Sequence, residues 1–229
     1  MTARIATRTF QLAAVLATLL ASGCASWMSQ FDAKKAAQER ERYGATADYR
    51  IKNFRAEADR ARKADGARQV EFTKGLTAAV LAEHDPRVRA AIVTVAAGFD
   101  TPAAVAICKG ALEDPDARVR MAACEAWRTR GGPEAVALLA ARSEADQEID
   151  VRLKALRELG DLGDEGAVPA LARALEDPDP AVQFRAVGAL KQVSGRDLGD
   201  DVNAWRAWAA DPEAKGTEWT IAEGFRRIF

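Results

Sequence analysis

Apolar residues in the middle of the chain recur with two spacings at once. Within short stretches they fall three and four residues apart, as on one face of a helix. The stretches themselves return along the chain. Val88, Ile92 and Val95 are followed by Val119, Ala123 and Ala126, then by Val151, Ala155 and Glu158, and then by Val182, Ala186 and Ala189. The marker valines step by 31, 32 and 31 residues, and a further apolar residue stands in each unit at Val93, Cys124, Leu156 and Val187. Second apolar runs follow at 102–112, 133–141 and 167–175, with Val105, Val136 and Val168 in register. The pattern predicts two helices per unit and about four units. One unit alone cannot bury its apolar face, so the units must stack.

Polar punctuation agrees with these boundaries. Asp85-Pro86, Asp114-Pro115-Asp116 and Asp177-Pro178-Asp179 open units, and Asp150 precedes Val151. At a helix start a carboxylate accepts from free amides and meets the positive end of the dipole, while proline is tolerated in the first turn. Gly98, Gly131, Gly160 and Gly163 stand where first helices should end, and a left-handed residue is expected there. Ahead of the first unit, residues 67–84 place Val70, Thr73, Leu76, Ala79, Val80 and Leu81 near one helical face. That helix is expected to cover the open end of the stack.

The sequence Asp-Pro, then Val-Arg, then an Ala-rich helix, Gly and a second helix ending Leu-Glu-Asp resembles the short HEAT repeats of many bacterial proteins, over residues 67–210. The Thr-Pro-Leu-His of ankyrin units and the Trp, Leu-Gly and Tyr series of tetratricopeptide units are missing. The resemblance implies an all-α, right-handed alpha-solenoid. It also implies that Arg89, Arg120 and Arg152 pair with nearby Asp residues as a ladder between turns, which Gln183 interrupts in the last unit. After Ser194-Gly195, Asp197 and Asp200 or Asp201 introduce a helix with Trp205 and Trp208, similar to the aromatic cap that closes many such arrays.

The first residues point to a cellular address. Arg4 and Arg8 precede an apolar run from Phe10 to Leu20, and Ala21-Ser22-Gly23-Cys24 follows. A short positive region, a brief apolar region and small residues describe a secretory signal. The cysteine at its end makes residues 1–23 resemble a bacterial lipoprotein signal peptide, in which Cys24 is lipidated and becomes the new amino terminus; an ordinary signal peptide with a chance cysteine is the alternative. Ala25 is not the aspartate that retains such proteins at the inner membrane, so the outer membrane, facing the periplasm, is favoured in a two-membrane host. Residues 24–66 then form the lipidated terminus and a charged helical linker; from 25 to 66 there are ten Lys or Arg against seven Asp or Glu. Interspersed signs suit a solvated tether. Residues 211–229 form an apolar tail with Trp219, Ile221, Ala222, Phe225, Ile228 and Phe229, for which folding back on the array or local disorder is favoured over a membrane or a partner.

Composition excludes more than it assigns. A formal net charge of -1 sets up no field that recruits nucleic acid. His84 is the one histidine, too few for the di-iron centre that one HEAT family carries, so no metal, cofactor or catalytic residue is expected. Cys108 and Cys124 occupy core positions of the repeat; they would bond only if their Cα atoms came within about 7 Å. The chain therefore reads as a membrane-anchored, non-enzymatic scaffold for a protein partner. Lyase-like or chaperone activity on a bound cofactor or client, and a purely structural envelope lipoprotein, are the alternatives. Lys109 and Arg173 on second helices, with Trp127 and Arg130, which the repeat does not explain, are the expected partner-binding residues.

Overall fold

The computed structural model describes residues 33–38 and 44–211, and every regular element among them is helical. The chain divides into compact units of 1–50 and 51–229. In the first, residues 33–38 form a helix, α1, and Thr46 Oγ1 accepts from the Tyr49 amide at 3.3 Å as α2 (Ala47–Arg62) begins. The second unit holds the rest of α2 and the repeats. Most of α2 is exposed, as its mixed charges require, but Ala58 and Ala61 are buried.

The repeats follow as α3 (Gly66–Ala82), α4 (Pro86–Ala96), α5 (Pro102–Gly110), α6 (Ala117–Arg130), α7 (Gly132–Ala145), α8 (Ile149–Leu162), α9 (Val168–Ala174), α10 (Pro180–Ser194) and α11 (Val202–Ala210). Helices α4, α6, α8 and α10 pack each on the next and form a first layer. In the second layer α3 packs on α5, α7 on α9 and α9 on α11. The marker valines 88, 119, 151 and 182 are all buried between the layers, as are Cys108, Leu139 and Leu171 of the second helices. Each such side chain contributes about 1.5–3 kcal/mol by leaving water.

Helix starts are capped by side chains. The carboxylates of Asp85, Asp116, Asp179 and Asp201 accept from the amides of Arg87, Arg118, Ala181 and Asn203 at 2.8–2.9 Å. Asp114 and Asp177 stand two residues before a cap and serve the ladder instead. Gly131, after α6, takes the expected left-handed φ of 70°. Gly160 does not: it lies inside α8, buried against α10, where a Cβ would come 2.9 Å from Ala189 Cα. Its role is close helix approach, and Gly163 ends the helix. Gly98 follows α4 without a positive φ.

At the start of the stack α3 buries Thr73 and Leu76, and Thr101 Oγ1 donates to Thr73 Oγ1 at 2.8 Å, tying α3 to the start of α5. Leu81, expected on the same face, is 82% exposed. At the other end Trp205 is fully buried, donates Nε1 to Gly199 O at 2.9 Å and meets Trp208 edge-on, with centroids 5.6 Å apart. The Trp-containing cap thus takes the place of an aliphatic second helix.

Candidate partner-binding surface

The arginine ladder runs along the turns between units. Arg89 donates Nε and Nη2 to the two oxygens of Asp114, each at 2.8 Å, and Arg120 makes the same fork to Asp146 at 2.9 Å. Arg152 pairs with Asp177. Asp114, Asp146 and Asp177 also accept from the backbone amides of Asp116, Glu148 and Asp179, at 2.9–3.0 Å. Gln183 donates to Asp177 O at 2.7 Å, so it keeps the local bond that Arg89 makes to Glu83 O and Arg120 to Asp114 O, but reaches no further.

Electrostatics follow from this geometry. Burial by itself raises the carboxyls of Asp114 and Asp146, but the forked arginines and the amide donors outweigh it and hold both below the ordinary carboxylate value. The same bonds raise Arg89 and Arg120. These guanidinium groups are consumed by the fold and are not offered to an anion. Asp146 is the member that sequence reading passed over. It stands five residues before Val151, as Asp114 and Asp177 stand before Val119 and Val182, and that offset was the available signal.

Of the four expected partner-binding residues, two lie on the surface and two do not. Trp127 is 2% exposed and donates Nε1 to Cys108 O at 3.2 Å. A ring so placed fills the core and has no face to offer a partner. Arg130 is nearly buried as well; its Nη1 donates to Phe99 O at 3.0 Å and its Nη2 lies 3.4 Å from Asp100, which ties α6 to the preceding unit. Lys109 and Arg173, in contrast, are 60% and 58% exposed. Lys109 Nζ meets Glu134 of α7 at 3.2 Å, and Arg173 Nη2 meets Glu144 of α7 at 2.6 Å. Neither glutamate was singled out from the sequence, because each pairs with a residue 25 or 29 positions away.

Between these pairs the second layer presents short side chains. Ala106, Gly110, Ala137, Ala141 and Pro169 are exposed. A groove of about 440 Å³ lies between α7 and α9, lined by Pro133, Val136, Ala137, Ala140, Gly166, Pro169 and Ala170 together with the charged Asp164 and Arg173. The arrangement is a smooth apolar floor edged by paired charges. It can receive an extended or helical segment of a protein, and its charges can set register by exchanging partners.

Nothing in this surface resembles a reaction centre. His84 is exposed, and among the described residues no three His, Cys, Asp or Glu side chains gather as a metal set. Cys108 and Cys124 are free buried thiols, pushed up by burial to about 11 and about 12. Among the described residues no helix is long and apolar enough to cross a membrane. Cys24 and the signal-like residues before it lie outside the described residues.

No curated protein matches the chain. The pattern that defines HEAT repeats matches twice, over residues 73–151 and 141–222, which together span more than half of the chain. The register of the valines, the two helical layers and the forked ladder carry the same meaning, and the chain belongs to the HEAT-repeat family.

Proposed function

We propose that this protein is a membrane-anchored scaffold on the extracytoplasmic side of a bacterial cell, held by a lipid on Cys24 and binding a protein partner on its second-layer face. HEAT repeats commonly mediate protein–protein binding, and the residues around Cys24 have the order of a lipoprotein signal. The observation that carries the binding reading is the floor of α7 and α9 between Lys109–Glu134 and Arg173–Glu144: it is apolar, grooved and edged with exposed charge. Arg89, Arg120 and Arg152 of the first layer, by contrast, are held in the ladder.

Two experiments test the two halves. Mass spectrometry of the mature amino terminus should find an acylated Cys24; an unmodified residue, or a cut elsewhere, removes the anchor. For the binding face, the partner recovered by crosslinking in living cells should be lost from Lys109→Glu and Arg173→Glu variants that keep a helical circular dichroism spectrum. Undiminished recovery from both variants would move the site elsewhere.

A further inference from the structure

Each first-layer helix turns one face toward the next. On α8 that face holds Gly160, which abuts Ala189 of α10, and Leu153, seven residues earlier on the same side. The same positions on α6 are Met121 and Arg128, and Arg128 Nε donates to Glu158 of α8 at 2.6 Å. On α10 they are Phe184 and Lys191, with Gly188 between them. Met121 and Leu153 are half-buried, whereas Phe184 is 66% exposed, and a Cβ on Gly188 would meet nothing within 4 Å. Among the described residues α10 is the last first-layer helix, and on its forward face Phe184 and Gly188 stand uncovered, while Lys191 pairs with Asp200 at 2.7 Å.

The chain itself holds a segment suited to that face. Arg206, in the last turns of α11, donates Nη2 to Leu175 O at 2.6 Å and pairs with Glu176 at 2.7 Å. That brings α11 beside the turn leading into α10. The next residues, Asp211-Pro212, repeat the opening of the earlier units at Asp85-Pro86, Asp114-Pro115 and Asp177-Pro178. Beyond them Ile221, Ala222, Phe225, Ile228 and Phe229 fall on one side at helical spacing. The HEAT match also runs to residue 222, past the end of α11 at Ala210. Residues 212–217 can span about 20 Å when extended, enough to round a helix about 10 Å across.

We propose that residues 218–229 pack as a helix on the forward face of α10, Ile221, Phe225 and Ile228 covering Phe184 and Gly188 in place of the next unit's first helix. Hydrogen exchange on the full chain tests this. The amides of 218–229 should exchange at least tenfold slower than in the free peptide, and Phe184→Asp should abolish that protection while α4 and α6 keep theirs. Free-peptide rates in the unsubstituted chain, or protection unchanged by Phe184→Asp, would overturn the proposal. If Phe184→Asp also loosens α4, the pair Gly188→Cys and Phe225→Cys decides: an intramolecular disulfide supports the proposal, and its absence under oxidation refutes it. A dimer in sedimentation that Phe184→Asp dissociates, or tail protection seen only with anionic vesicles, would assign the face to a second copy or to a membrane instead.

Discussion

Arg120 and Gln183 each follow a marker valine by one residue, yet only Arg120 links two units. Its fork to Asp146 is almost fully desolvated, with the carboxylate side chain 1% exposed. Arg120→Gln leaves that carboxylate with Arg142 and one backbone amide, and should cost about 3 kcal/mol in denaturant unfolding. Gln183 keeps only its local bond to Asp177 O, so Gln183→Ala removes one neutral hydrogen bond and should cost no more than about 1.5 kcal/mol. A cost under about 1 kcal/mol for the first change would mean that the ladder decorates the stack rather than holds it. The buried thiols make a second prediction. With Cys24 replaced by Ser, neither Cys108 nor Cys124 should react with iodoacetamide at pH 8 until the chain unfolds. The core character of both cysteines was legible from repeat alignment. That of Trp127 was legible in the same way but was passed over, since it stands eight residues after Val119, as the buried Ala96, Leu159 and Leu190 stand after Val88, Val151 and Val182.

Helix packing sets different tolerances for the same substitution. Gly160→Ala drives a methyl group against the backbone of Ala189 and should destabilise the chain by about 1–3 kcal/mol. Gly75→Ala, inside α3 with nothing within 4 Å, should stabilise it by about 0.5–1 kcal/mol through helix propensity alone. Thermal melts of the two variants should therefore move in opposite directions, and equal shifts would remove the close α8–α10 contact as the reason for Gly160. Element existence was plain from the 31-residue and 32-residue steps, because each valine falls on the buried face of its helix. The ends were less plain. Gly160 looked like a terminator because glycine serves both turns and close approaches, and only the position of α10 separates the two uses. Leu81 looked buried because the helical period does not say where α3 outruns its neighbour.

The molecule as a whole should be acid-sensitive through its ladder. Asp114 and Asp146 hold their carboxyls below the ordinary value in the folded chain, so the unfolded chain takes up protons first as pH falls. Their contribution is complete above about pH 5 and is lost progressively below about pH 4. The melting temperature should fall through that window, and more shallowly in Asp146→Asn; an equal slope would place the acid sensitivity elsewhere. The fold was readable at this scale because a repeat multiplies every weak signal. The proposed partner was not, because a surface made of Ala, Gly and Pro carries no motif and its charges are paired with residues far along the chain. The central claim is that the second-layer face takes a protein, and site-specific photocrosslinking in living cells tests it most directly. A photoreactive residue at Ala137, on α7, should yield one defined crosslinked protein, while the same residue at Arg157, on the exposed side of α8, should yield none. Crosslinking from Arg157 and not from Ala137 would contradict it.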